Sequence, residues 1–152
     1  MIFHLKHQNP CVAAKIKELQ QESYRVEARL IDYDKIPYMA EGVPEIQSTN
    51  EIFIGYLREN ELAGVISYEK AGENLTICRL VVKPEFFGSG IAKSMLKALE
   101  EMEPEIRSIY VGTAEKNIPA ISLYIKSGYT VFRKLQTPDG LNLVRLRKII
   151  NR

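Results

Sequence analysis

Residues 75–100, LTICRLVVKPEFFGSGIAKSMLKALE, constrain the fold more than any other stretch of this chain. Residues 75–82 are apolar and β-branched, the composition of a strand, and Pro84 ends the run. Gly88 and Gly90 mark a short loop. An amphipathic helix follows, with Ile91, Met95, Leu99 and Met102 on one face and Lys93, Lys97, Glu100 and Glu101 on the other, and Pro104 closes it. A strand, a glycine turn and a helix in this order make an anion site. The first N–H groups of the helix have no partner inside it, and the helix dipole favours negative charge at that end.

The flanking sequence builds a mixed α+β architecture around this unit. Residues 1–5 read as a short strand, and Asn9-Pro10 as the cap and first position of a helix over 11–30. Val12, Ile16, Leu19, Val26 and Leu30 give that helix its apolar face, with a break allowed near Ser23-Tyr24. Residues 31–44 read as an irregular loop dense in tyrosine and carboxylate, and Tyr33, Tyr38 and Glu41 are its candidate substrate-rim residues. Strands over 51–58, 62–69 and 75–82, joined by short polar turns, form an antiparallel meander. A strand over 106–113 follows the central helix, so strand, crossover helix and strand form a right-handed parallel βαβ unit. Asn117 caps a helix over 118–126, which Gly128 stops, and strands over 129–136 and 141–148 flank the turn Thr137-Pro138-Asp139-Gly140. No linker or repeat interrupts residues 1–152, which read as one domain.

Composition excludes several functions. A net charge of +2 implies no polyanion partner, and no basic stripe with interleaved aromatics points to nucleic acid. The basic cluster at 145–148 with Arg152 reads as a solvated strand face. Cys11 and Cys78 make neither a disulfide framework nor a zinc site, and Cys78, inside the apolar strand, reads as a small core residue. His4 and His7 lack neighbouring acidic or thiol ligands, so no metal is expected. No apolar run approaches the roughly 20 residues that span a bilayer. With no signal-peptide pattern either, the expected location is the cytoplasm, away from membranes.

Two nucleotide motifs fail against residues 87–94, FGSGIAKS. A Walker loop needs Gly before Lys-Ser and another upstream, where Ala92 and Phe87 stand. A dinucleotide fingerprint needs Gly or Ala where Lys93 stands. A third pattern matches: Leu80, Val81, Val82 and Pro84 end the strand, Phe87, Gly88, Ser89, Gly90, Ile91 and Ala92 make the loop, and Lys93 continues the helix. Residues 117–129, NIPAISLYIKSGY, then supply a second motif in the right order and distance. On these two motifs the chain resembles the GCN5-related N-acetyltransferase (GNAT) family, best over residues 51–129.

The resemblance implies acetyl-CoA as cosubstrate. The pyrophosphate would sit on backbone amides of residues 88–93, the pantetheine arm along Leu80, Val81 and Val82, and Asn117 would help hold the arm. The strand over 106–113 would splay away from the organising strand. The family usually has Arg or Gln where Phe87 stands, and Lys93 or Lys83 is the candidate substitute. Tyr124 matches the family tyrosine facing the CoA sulfur and is assigned as general acid. A backbone N–H near residues 80–82 is assigned to the oxyanion.

The implied reaction is acetyl transfer to a primary amine of a small molecule or peptide by direct attack on the thioester. A non-catalytic acyl-CoA sensor is the alternative. Glu41, Glu45, Glu69, Glu73 and Glu115 are the candidate general bases. Gly112 stands where related protein N-terminal acetyltransferases often carry Glu, which weighs against a ribosomal-protein substrate. Arg79 reads as a partner of one of these carboxylates or a contact for an acidic substrate. Family habit suggests a homodimer through the C-terminal strands.

Overall fold

The computed structural model describes residues 1–151, so Arg152 of the expected basic cluster lies outside the described residues. β1 (Ile2–Leu5) leads to α1 (Pro10–Ile31), where Asn9 Oδ1 accepts the N–H groups of Cys11 and Val12 as the cap. α1 runs unbroken through Ser23-Tyr24. Its buried face is Ala13, Ile16, Leu19, Gln20, Tyr24 and Ile31. The expected stripe through Val26 and Leu30 is therefore displaced, and both residues are exposed toward a cleft. Residues 31–44 are less irregular than expected. They contain a 3₁₀ turn, Pro37–Ala40, and the start of a short helix α2 (Val43–Ser48), whose N-cap residue Gly42 donates its N–H to Glu45 Oε1 at 2.8 Å.

The meander is β2 (Ile52–Arg58), β3 (Glu61–Ala71) and β4 (Asn74–Val82). A 3₁₀ turn, Pro84–Phe86, leads to α3 (Ile91–Met102), then come β5 (Ser108–Ala114), α4 (Ile118–Lys126), β6 (Thr130–Gln136) and β7 (Asn142–Ile149). The sheet order is β1-β2-β3-β4-β5-β7-β6, and every pairing but β4–β5 is antiparallel. The hairpin strand next to β5 is thus β7, which leaves β6 at the edge.

Two apolar layers fix the helices on opposite faces of the sheet. α3 buries Ile91, Met95, Leu96 and Leu99 against Ile54, Ile66, Tyr68 and Leu75, each such side chain contributing about 1.5–3 kcal/mol. Gly64 lets α3 approach β3: a Cβ there would stand 2.7 Å from Met95 Cε. On the other face, Ala13, Ile16, Leu19 and Tyr24 of α1 pack with Ile46, Phe53, Val65 and Val81.

Two irregularities of β4 make the site. First, β4 and β5 pair only at Asn74–Ser108, Leu75–Ile109 and Thr76–Tyr110, then diverge. The expected splay is present, and α1 and α4 meet through the gap. Second, the register with β3 shifts so that Ser67 faces Arg79 and Tyr68 faces Ile77, leaving Cys78 as the extra residue of a β-bulge. The bulge inverts the strand's alternation. Leu75, Ile77, Leu80 and Val82 belong to the α3 face and Val81 to the α1 face. Cys78 accordingly points into the gap rather than the core, half-buried, which corrects the core reading of this thiol.

Candidate active site

The gap divides into two chambers. The larger, about 630 Å³, lies between α1, the end of β4, and the N-termini of α3 and α4. Gly88, Gly90, Ile91, Ala92 and Lys93 form one wall, with Leu80, Val82, Phe86 and Phe87 beside them and Val26, Leu30 and Leu123 opposite. Gly90 caps α3 with φ 86° and no side chain, and Gly88 has φ 77°. Among the described residues the N–H groups of Gly88, Gly90, Ile91, Ala92 and Lys93 meet no backbone or side-chain acceptor, while Ser94 N–H already reaches Gly90 O at 3.0 Å. Five donors at one helix start suit a pyrophosphate.

Not every residue expected to hold the cofactor faces this chamber. Phe87 N–H and Ser89 N–H close onto Pro84 O and Phe86 O, and Ser89 Oγ donates to Phe86 O at 2.5 Å. Ser89 therefore shapes the loop, and Phe87 offers only its ring. Val81 is buried on the far face and can reach the chamber only through its backbone. Lys83 is ion-paired with Glu61 and Glu85 and lines a different groove, which removes it as a substitute for the missing Arg or Gln. Lys93 remains in the chamber wall.

The smaller chamber, about 250 Å³, is lined by Tyr33, Ile36, Pro37 and Tyr38 from the rim loop, by Cys78 and Arg79 from the bulge, and by Val111, Gly112, Thr113, Leu141 and Leu143 from the far side. Tyr33 OH donates to Asp139 at 2.9 Å, tying the rim to the β6–β7 turn. Burial pushes the Tyr38 hydroxyl up to about 12. It pushes the Cys78 thiol up to about 12 as well, with Glu51 and Glu69 adding to the effect.

Glu41 does not serve as a rim carboxylate. It accepts from Arg79 at 2.6 Å and from Gln20 at 3.1 Å, and lines neither chamber. Arg79 is buried, bound also to Glu51 Oε2 at 2.8 Å and Ser67 Oγ at 3.2 Å. The pairing expected of Arg79 is thus present, and a role in holding an acidic substrate is not available to it. Glu45, Glu69, Glu73 and Glu115 line neither chamber.

The chambers share a wall of Tyr24, Glu27, Leu80, Asn117, Ala120 and Tyr124. Tyr124 is 5% exposed. Burial, with the nearby Glu27, pushes its hydroxyl well above the ordinary tyrosine range, so it stays protonated. Asn117 caps α4, its Oδ1 accepting Ala120 N–H at 3.3 Å, while its Nδ2 donates to Glu27 Oε1 at 2.7 Å. Burial raises the Glu27 carboxyl above its usual range even though the Asn117 bond pulls the other way. Glu27 escaped the sequence reading. Its signal was the spacing Tyr24, Glu27, Ile31, one carboxylate on a helix face that otherwise turns inward.

The sequence model of the "Acetyltransferase (GNAT) family" matches residues 13–129. The chain belongs to this family. A curated Bacillus subtilis (strain 168) relative, "UPF0157 protein YqkA", is 40% identical over 143 residues, 94% of this chain and 42% of that protein, so this GNAT chain spans less than half the relative's length. Among solved structures, the PaiA N-acetyltransferase of Thermoplasma acidophilum, in complex with coenzyme A, is 18% identical, with 99% of each chain covered and a TM-score of 0.79. The aminoglycoside 6'-acetyltransferase type Ii is 21% identical, covering 100% of this chain and 99% of that one, with a TM-score of 0.78. The Escherichia coli ribosomal-protein-S18-alanine N-acetyltransferase is 13% identical, covering 100% and 94%, with a TM-score of 0.74. At these identities the likeness shows the GNAT fold. No helix among the described residues is long and apolar enough to cross a membrane. Nor, among them, does any group of three or more His, Cys, Asp and Glu gather that could hold a metal. His7 is occupied by Thr49 O at 2.9 Å and packs on Phe53.

Proposed function

We propose that this chain is an acetyl-CoA-dependent N-acetyltransferase that transfers the acetyl group directly from the thioester to a primary amine. The carrying observation is that an amide-lined chamber and a tyrosine-lined chamber meet at one wall containing Tyr124. In this reading Gly88, Gly90, Ile91, Ala92 and Lys93 bind the pyrophosphate, Leu80 and Val82 flank the arm, and Asn117 steadies it from α4. The β4–β5 ladder ends at Thr76, so N–H groups on that edge of β4 are left for the arm and for the oxyanion. Tyr33 and Tyr38 border the acceptor.

Tyr124 acts as proton donor to the leaving sulfur. Its raised pKa keeps the O–H intact at neutral pH, and the proton it gives is replaced from the acceptor nitrogen as the C–S bond breaks. Direct transfer is favoured over an acetyl-cysteine route because Cys78 is held as the thiol, and the thiolate is the nucleophile. Two free thiols fit a cytoplasmic enzyme. A homodimer would use β6, exposed along its whole length with Val131, Phe132 and Leu135, and sedimentation of the purified chain would read its mass.

Tyr124→Phe is the test. It is expected to lower kcat about 10²-fold, the range of general acid–base catalysis, while calorimetry finds acetyl-CoA affinity little changed. An unchanged kcat removes Tyr124 from its role. Acetyl-CoA binding without thiol release for any amine would favour the sensor reading.

A further inference from the structure

Resting on that reading of the site, we propose that Glu27 receives the acceptor's ammonium group and takes its proton, and that the acceptor is a compact primary monoamine with an apolar body. Glu27 stands in the wall between the two chambers, where an amine in one would meet a thioester in the other. Asn117 Nδ2 holds its Oε1 at 2.7 Å, which orients the carboxylate and leaves Oε2 for a second partner. No cation among the described residues pairs with it. The groups facing it are Tyr24 on α1, Tyr124 and Asn117 at α4, Cys78 and Arg79 on β4, and Tyr33 and Tyr38 on the rim. Arg79 is the one positive charge lining the smaller chamber, and Glu41 and Glu51 already meet it, while Lys93 lines the larger chamber with Glu27 and makes no ion pair with that carboxylate. A half-buried carboxylate without a counter-ion, in the wall of a partly open gap, calls for one from the substrate. Its raised pKa also brings it closer to the range of an effective base.

The smaller chamber argues for the class of amine. Glu27 is the one carboxylate among its described lining residues, so a polycation would bring charges that nothing there can meet. Tyr24, Tyr33 and Tyr38 offer ring faces, and Ile36, Leu141 and Leu143 offer apolar contact. A dry cavity of about 150 Å³ suffices for benzene. The 250 Å³ here therefore suits an aryl or branched-alkyl group on a short amine.

The step balances without a co-reactant. Glu27 removes one ammonium proton, and the freed lone pair forms the C–N bond to the carbonyl carbon. The C–S bond breaks, the second nitrogen proton reaches sulfur through the Tyr124 hydroxyl, and Glu27 returns its proton to water. One proton is released per turnover, and no group is oxidised or reduced.

The experiment measures thiol release with acetyl-CoA across phenethylamine, spermidine, tobramycin and an alanine-terminated hexapeptide, for the wild type and Glu27→Gln, over pH 5–9. Acetyl-CoA affinity is followed by calorimetry. Phenethylamine is expected to have the highest kcat/KM, at least tenfold above the rest. Wild-type kcat/KM should rise with pH through the Glu27 ionisation, and Glu27→Gln should lower it about 10²-fold or more and erase that limb. Gln keeps the oxygen that Asn117 needs, so a merely structural Glu27 would leave rate and profile unchanged, which overturns the base assignment. A tenfold preference for spermidine, tobramycin or the peptide overturns the acceptor class. Acetyl-CoA binding with no turnover of any amine overturns the proposal together with the acetyl-transfer reading, and so is distinguishable from either failure alone.

Discussion

Arg79→Ala is expected to destabilise the protein by about 3–5 kcal/mol, the usual cost of stripping one partner from a buried ion pair. For a chain of this size that is a fall in Tm of roughly 6–20 °C. The guanidinium is fully enclosed and makes 2.6–3.4 Å contacts with Glu41, Glu51, Gln20 and Ser67, and it stacks 4.2 Å from the Tyr38 ring. Without it the Glu51 carboxylate, only 8% exposed, keeps Ser67 and Thr49 but loses its counter-charge. The rim turn Pro37–Ala40 loses the tether that Glu41 provides. A control separates charge from packing. Arg79→Ala combined with Glu41→Gln and Glu51→Gln removes the carboxylate charges at the same loss of volume and is expected to regain part of the loss, because no uncompensated buried charge is then left behind. Equal Tm values for Arg79→Ala and the triple variant would assign the effect to lost volume.

The same network has a pH signature. Burial alone would raise the Glu51 carboxyl, but hydrogen bonds from Arg79, Ser67 and Thr49 outweigh it and hold the group below its usual range. A depressed folded-state value stabilises the protein above the unfolded pKa, about 4.3 for Glu, and that contribution is lost as pH falls through the folded value. The stability gap between wild type and Arg79→Ala should thus narrow as pH falls through the acid range in which these carboxylates take up protons. A gap that widens on acidification would contradict the assignment.

What was legible in the sequence was local. The strand, glycine turn and helix of residues 75–100 read correctly because one short segment carries the apolar period, the breaker and the turn residues together. Asn117 as a cap and Gly128 as a stop are equally local, and Gly128 does take a positive φ of 98°. What was not legible depends on partners distant in the chain. The bulge at Cys78 exists only relative to β3, so simple alternation put the thiol in the core. β7 rather than β6 docks on β5, and either strand of a hairpin satisfies the pattern of its own residues. Val26 and Leu30 belonged to a plausible apolar stripe, but they face the gap that opens only because β4 and β5 diverge. That choice of stripe concealed Glu27. A carboxylate three residues after Tyr24 on a helix looks solvated until α1 is seen to meet α4 through the gap, 90 residues away in sequence.

Gly90→Val is expected to lower acetyl-CoA affinity at least 100-fold, about 2.7 kcal/mol, while the protein stays folded. Two costs arise at this position. The first is conformational: a β-branched residue at φ 86° is strained, by about 1–3 kcal/mol. The second is specific to the ligand. A Cβ at Gly90 would meet nothing within 4 Å, so the added side chain enters the open space over the N–H groups of residues 90–93 instead of clashing with protein. That space is where the pyrophosphate must approach the backbone. Gly140→Val supplies the matched control, because Gly140 also has a positive φ, 92°, and open surroundings, but lies in the β6–β7 turn. The two variants should lose similar stability in thermal unfolding, and only Gly90→Val should lose acetyl-CoA in calorimetry. Equal loss of affinity in both would mean that strain anywhere in the fold weakens binding. Retained affinity in Gly90→Val would move the pyrophosphate away from the α3 N-terminus.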